Sequence, residues 1–409
     1  MIIFFNCTLR GTRYRHSVIT NSMQRVVWIS KQHWLKPGPM TYMGLLNAQG
    51  FAEHGIPTDF FVRAEAHYDA AQTEQDIINF YGLTPHPLLK IHCIPEQKSW
   101  HRQVYQAAIA HIKQYYAQQD SLLIATREYG ALSALLRLKK SLPAIKVLYE
   151  SHNFFINQRH LDKRWFSFSR LRTQWVERHI LPKADGLICL TEHQRALYQH
   201  WFPQLATIAL PLGCLSFPHC PNPEQRRLKR QVVYIGHLYD YKGLELFFEL
   251  ATLLKDHAIK LHIMGGFPDE VTRLQQRAEQ EKLSDTLQFT AFIEPKRLHE
   301  FLSHEASIGL VPLQDTFYNR YLTCPVKVLD FLAHGLPIVT SELPSVRDII
   351  RDHASYCPSQ DASAFATKIK QLLDNADLYQ AMSDNTYQRA QALQWQQRAQ
   401  HIIHFAYAH

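Results

Sequence analysis

Short apolar runs alternate with longer amphipathic stretches along nearly the whole chain. In the first half the runs fall at 26–30, 59–63, 88–93, 121–126, 146–150, 186–190 and 207–210. Helical periodicity occupies 41–54, 100–118, 130–140 and 166–180. After Pro218, Pro221 and Pro223 and a charged stretch to Arg230, the alternation restarts. Its runs are 231–235, 260–264, 286–289, 307–311, 338–340 and 355–357, with helices predicted at 244–255, 269–282, 296–304, 325–334, 345–352 and 362–375. Strand and helix alternating at this spacing predict two α/β domains, each a doubly wound parallel sheet, with ligands at the carboxyl ends of the strands. The divisions read from the pattern are an extension at 1–22, a first domain at 23–215, a second at 216–393 and a terminal helix at 394–409. The extension reads as a mis-assigned start, because Met23 stands just ahead of the first convincing strand.

The stretch from Cys324 to Thr340 concentrates the chemistry. Pro325 suits a helix start and Thr323 can cap it. Gly335 and Pro337 end the helix before a buried strand begins. Lys327 falls in the first turn, where the helix dipole disfavours a cation unless an anion sits there too. Asp330 lies one turn deeper. A cation for phosphate and a carboxylate for sugar hydroxyls suit a nucleotide sugar, although a surface lysine and a solvated aspartate fit this spacing equally well. Lys242 opens another helix after a strand, behind Gly236 and His237, and Gly265 closes a further strand. Two lysines at two helix starts along one sheet edge are harder to dismiss than one. In the first half, Glu150 and His152 follow the strand 146–149, where a histidine can donate to a sugar oxygen. Gly38 lies in a strand–loop–helix passage that reads as a phosphate loop or a plain turn.

The net charge of +8 attracts phosphates of any kind, in nucleotides, lipids or nucleic acid. No nucleic-acid-binding motif accompanies it. Residues 159–183 mix Arg159, Lys163, Arg164, Arg170, Arg172, Arg178 and Lys183 with Trp165, Phe168, Leu171 and Trp175. Such a basic amphipathic segment fits an anionic membrane surface, or a helix packed on its own domain with a solvated face. No apolar run is long enough to cross a bilayer, and the arginines follow the short apolar start, the reverse of a secretory signal. A cytoplasmic protein, peripheral on the inner face of the membrane, is the expectation. The 7 scattered cysteines form no disulfide framework, and Cys214, His219 and Cys220 match no standard zinc spacing.

Residues 231–375 resemble the second domain of GT-B glycosyltransferases, in particular retaining family 4. Val232–Gly243 is similar to that family's G-R-x5-K strand and turn, Leu261–Gly266 to its L-x-I-x-G-G strand, and Pro325–Thr340 to its P-x-K-x-x-E run. The first half resembles the partner domain more loosely, through Tyr149–Asn153 and Lys183–Thr191. The resemblance implies two Rossmann-like domains facing across a cleft, with the terminal helix crossing back to the first. It also implies a nucleotide-sugar donor as substrate, no cofactor, no metal, retention of configuration, and a glycan or lipid-linked acceptor. Lys242 and Lys327 would face the diphosphate with His237, Gly38 and Gly265 beside it. Asp330 would face the ribose, and His152 the transferred sugar, so His152 and Lys242 carry the catalytic roles.

Three positions depart from the family pattern: His237 stands in place of arginine, Asp330 in place of glutamate, and Leu322 in place of the first glutamate of an E-x7-E pair. Asp315 and Asn319 are the nearest polar substitutes for Leu322. A non-catalytic binding or scaffold protein is an alternative that Leu322 and His237 favour. A sugar-nucleotide epimerase is another, although no convincing acid/base set is evident for it.

Overall fold

A computed structural model describes residues 24–36, 39–96, 102–118, 121–156, 168–220, 222–238 and 244–408. The extension 1–22, Gly38, Lys242 and residues 159–167 of the basic segment lie outside the described residues.

Seven strands form the first sheet: β1 (Arg25–His33), β2 (Thr58–Ala64), β3 (Leu89–Pro95), β4 (Leu122–Thr126), β5 (Lys146–Ser151), β6 (Gly186–Cys189) and β7 (Thr207–Ala209). Six form the second: β8 (Gln231–Ile235), β9 (Lys260–Met264), β10 (Leu287–Thr290), β11 (Ile308–Val311), β12 (Ile338–Ser341) and β13 (Ser355–Cys357). The orders are β3-β2-β1-β4-β5-β6-β7 and β10-β9-β8-β11-β12-β13. The pairs along both orders run parallel. In each order the winding reverses beside the first strand, between β1 and β4 and between β8 and β11, and a crevice opens at the carboxyl ends there. The near-continuous apolar runs follow from helices covering both faces of each sheet.

The tail is two helices, Ala376–Gln391 and Trp395–Tyr407. The break is held by a bridge from a distant segment. The Cys214 N–H donates to the Leu393 carbonyl at 2.7 Å, and Cys214 bridges Gln394 as a short parallel pair. Backbone held by that bridge cannot remain helical. The last helix crosses back onto the first domain, against the helix Pro39–Glu53. Gly50 is needed there, because a Cβ would lie 2.7 Å from the Trp395 carbonyl oxygen. Trp395, Ile402, Ile403 and Phe405 are buried, and one apolar core runs through the junction from Trp28 and Tyr42 to Val328 and Phe331.

The helices Glu192–Trp201, Pro223–Leu228 and Phe317–Tyr321 and the turns at 70–81 escaped the sequence pattern. Residues 70–81 form short helical turns, the last a π-turn closed by Gly82 at φ +68°. They set Tyr81 against Tyr42 and Trp34, with ring centres 5.7 and 4.8 Å away.

Candidate active site

Two glycines bring the ends of β8 and β9 together. Gly236 (φ +146°) donates its N–H to Met264 O at 2.8 Å, and Gly265 (φ +115°) donates to Thr290 O at 2.8 Å. A Cβ on Gly265 would come within 2.5 Å of Gly236 O, so no larger residue fits this approach. The opening at Gly236 admits Lys327, whose Nζ would lie 2.8 Å from a Cβ placed there. The same ammonium sits 3.7 Å from the centre of the Tyr234 ring, a cation–π contact that fixes its direction. His237 completes the rim, edge-on to Phe292 with ring centres 4.8 Å apart.

The helix carrying Lys327 is Val326–Ala333, one residue shorter at its start than the spacing predicts. Pro325 is its N-cap in extended conformation, no side chain caps it, and Thr323 does not take that role. Proline has no N–H to give and accepts the extended N-cap geometry readily, so the helix begins after it. Lys327 remains in the first turn, at an uncapped end suited to an anion.

Asp330 follows on a half-buried face of the same helix. Burial pushes its carboxyl up to about 7, against the opposing pull of Lys327. Its charge also acts on Tyr42 and Cys214, which places it toward the junction with the first domain. The sign of the linkage is set by that rise. The folded protein favours the protonated acid, so stability falls as pH rises from the unfolded value near 4 toward 7 and is level above that. Hydroxyls that donate to the carboxylate favour the ionised form instead. Nucleotide binding at pH 6–7 is therefore expected to release a proton, and Asp330→Asn to abolish the release. Calorimetry of nucleoside-diphosphate binding in buffers of different ionisation enthalpy measures this directly, and equal apparent enthalpies in all buffers would refute it.

Across the junction, β5 ends at Glu150 and Ser151, with His152 just beyond. Glu150 is 1% exposed. Its Oε1 lies 2.6 Å from His152 Nε2, and its Oε2 accepts from Arg398 Nη2 at 2.8 Å. Burial alone would raise the Glu150 carboxyl, but Arg398 and His152 hold it down at about 2. Burial and the Arg127 guanidinium lower His152, against Glu150, which raises it. Burial therefore favours the neutral ring.

A cleft of about 1500 Å³ joins the two halves. His152, Asn153, Arg127 and Tyr149 line it from the first domain, and Tyr318, Thr323, Cys324 and Val326 from the second. His152 and the start of the Lys327 helix thus face one space. Leu322 does not: it is fully buried with the first domain's core, so its position offers the cleft nothing polar. Asp315 is paired with Arg320, and Asn319 Nδ2 donates to Gln314 O at 2.8 Å. Both substitutes for Leu322 are committed to local bonds.

Arg398 and Arg127 were not singled out in the sequence. Arg127 directly follows a predicted strand end, a signal that was available. Arg398 is one of two arginines in a glutamine-rich tail, and only the returning helix shows its use. Among the described residues one group has metal-ligand spacing, Asp59, His92 and His111, with ligand atoms within 4.8 Å of one another. Asp59 is already bonded by His92 at 2.6 Å, and Arg25 lies 3.8 Å away. This cluster sits near the start of β2, away from the carboxyl ends.

Two doubly wound parallel sheets facing a cleft, with the last helix returned to the first domain, define the GT-B fold. Residues 222–389 match the family of glycosyl transferases group 1. Similar curated proteins include an alpha-D-kanosaminyltransferase of Streptomyces kanamyceticus, 24% identical over 52% of this chain and 57% of that protein. Another is the amylovoran biosynthesis glycosyltransferase AmsK of Erwinia amylovora, 24% identical over 62% of this chain and 61% of that one. The chain spans less than two thirds of the length of each. Among solved structures, Anabaena HepE in complex with UDP-glucose covers 94% of this chain and 100% of its own, at TM-score 0.63 and 14% identity. TarM covers 95% and 100%, at TM-score 0.70 and 10% identity.

Proposed function

We propose that this protein transfers a sugar from a nucleoside-diphosphate donor to a hydroxyl of a glycan or lipid-linked saccharide, without a metal and with retention of configuration. The observation that supports the reading is a cleft lined by His152 from the first domain and by Val326, which begins the Lys327 helix, from the second. HepE with UDP-glucose and the pneumococcal GtfA with UDP and GlcNAc support the choice of donor class. AmsK, named for amylovoran biosynthesis, supports a biosynthetic glycosyl transfer.

The sugar C1–O bond breaks with charge developing on the β-phosphate. Lys327 and the uncapped amides of its helix stabilise that charge where it forms. Lys242 joins them on the sequence resemblance, His237 and Gly265 shape the rim, and Asp330 receives the ribose hydroxyls. Gly38 belongs to the facing loop on the same resemblance. Closure of the cleft excludes water, which otherwise competes with the acceptor.

The acceptor enters beside the helix Phe168–His179. Phe168, Leu171 and Trp175 are 87%, 46% and 55% exposed along one stripe of it. Arg172 and Arg178 flank the stripe, and Phe168, Arg172 and Trp175 also line the cleft. Among the described residues no helix is long and apolar enough to cross a membrane. An apolar stripe rimmed by arginine instead lies on an anionic bilayer, which brings a lipid-linked acceptor to the cleft mouth.

Radiolabelled UDP-sugars, offered with chelator and with acceptors either free or embedded in anionic vesicles, test the whole reading. Transfer is expected to persist in chelator, to retain the anomeric configuration, and to be faster on vesicles. The Phe168→Ser/Trp175→Ser variant is expected to lose the vesicle advantage only. Conversion of the sugar without acceptor would identify an epimerase, and tight nucleotide binding without turnover on any acceptor would identify a binding protein.

A further inference from the structure

The last helix reaches the end of β5, beside the cleft, through the buried side chain of Arg398. Arg398 is 4% exposed, and its guanidinium is held on three sides. Nε donates to Pro211 O at 2.8 Å, Nη1 to Asn47 Oδ1 at 2.5 Å, and Nη2 to Glu150 Oε2 at 2.8 Å. Three separate segments therefore fix its plane: the loop before the second domain, the helix Pro39–Glu53 and the end of β5. A carboxylate gripped in this way at one oxygen presents the other in one direction only, and that oxygen meets His152 Nε2 at 2.6 Å.

The chemistry of this contact selects a tautomer. An ionised carboxylate is an acceptor only, so the hydrogen on the shared bond belongs to the imidazole. In a neutral ring with hydrogen on Nε2, Nδ1 carries a lone pair. Nδ1 takes no hydrogen bond among the described residues, and the ring lines the cleft. The sense of the interaction is then the reverse of the one read from the sequence: the histidine accepts rather than donates.

We propose that Arg398 is a positioning residue which, through Glu150, fixes His152 with hydrogen on Nε2, so that Nδ1 accepts a hydrogen bond from a hydroxyl of the transferred sugar. The sugar in this statement rests on the reading of the cleft as a transfer site, and the tautomer does not. The docking of the last helix is thereby coupled to the state of a side chain in the cleft, across more than two hundred residues of sequence separation.

The test is nitrogen-15 spectroscopy of the whole protein labelled at its histidine rings, near pH 7.5, with the His152 signal assigned by its loss in His152→Gln. The expected pattern is that of the Nε2–H tautomer. Arg398→Met alone leaves a buried carboxylate unpaired and is prone not to fold, so the decisive variant is Glu150→Gln/Arg398→Met, which removes both charges and keeps the volumes. It is expected to lose the single tautomer and to lower kcat about tenfold, the worth of one aligned hydrogen bond. KM for the donor should be nearly unchanged, since the diphosphate is held on the other wall. Arg398→Lys retains the charge and is expected to retain the tautomer. A wild-type ring with hydrogen on Nδ1 overturns the proposal, as does a double variant that keeps the Nε2–H form. A shifted tautomer with unchanged turnover upholds the positioning by Arg398 and instead overturns the placing of the sugar at His152.

Discussion

Replacing Lys327 by alanine is expected to lower kcat/KM for sugar transfer about 10²- to 10³-fold, the usual loss when one fixed donor is taken from a developing oxyanion. The size of the effect follows from how the ammonium is held. Tyr234 lies beneath it at 3.7 Å, and Gly236 leaves it room and little more. An ammonium already fixed in direction needs no reorganisation as the β-phosphate gains charge. Stability should barely change, because the side chain is half-exposed and an exposed cation–π contact is worth about 0.5–1 kcal/mol. Arginine should not rescue, since its broader head does not fit against Gly236. Initial rates with saturating acceptor, alongside thermal unfolding, separate these outcomes. Near-normal transfer by Lys327→Ala would remove the lysine from the leaving group.

Trp395→Ala is expected to cost about 3–5 kcal/mol of folding stability, as for other buried large-to-small replacements. Its ring occupies a space cleared by glycine, since a Cβ on Gly213 would stand 2.5 Å from Trp395 Cδ2. The ring is 4% exposed, and its Nε1 makes no hydrogen bond among the described residues, so the loss is one of packing. Trp395 anchors the first turn of the returning helix, with Arg398 in the next. Release of that turn should therefore cost activity as well as stability. Urea unfolding followed by circular dichroism measures the first effect; a midpoint within a few tenths molar of wild type would contradict it.

Much of the architecture could be read from the amino-acid pattern because a doubly wound sheet imposes a simple rule on sequence. Strands buried on both faces must be apolar throughout, so runs such as 121–126 and 307–311 are visible without periodicity. Gly236, Gly265 and Lys327 were legible for a related reason: each serves a backbone or helix-end requirement that only certain residues meet. The features that were not legible depend on distant segments. The Cys214 bridge to Leu393 and Gln394 joins distant segments, and no local pattern in the tail reveals it. The turns at 70–81 are held by aromatic contacts to Trp34 and Tyr42. Leu322 could be recognised as a departure, but its burial in the first domain's core depends on how the two domains meet. The contact of Glu150 with both His152 and Arg398 was not legible, because Arg398 is 246 positions away from His152 in the sequence.

The most direct measurement is a crystal structure with a bound nucleoside diphosphate sugar. The expected result places a β-phosphate oxygen within about 3 Å of Lys327 Nζ, with the sugar turned toward His152 Nδ1 across the cleft. A nucleotide seated elsewhere, or a diphosphate that Lys327 does not touch, would contradict the assignment of this cleft to sugar transfer.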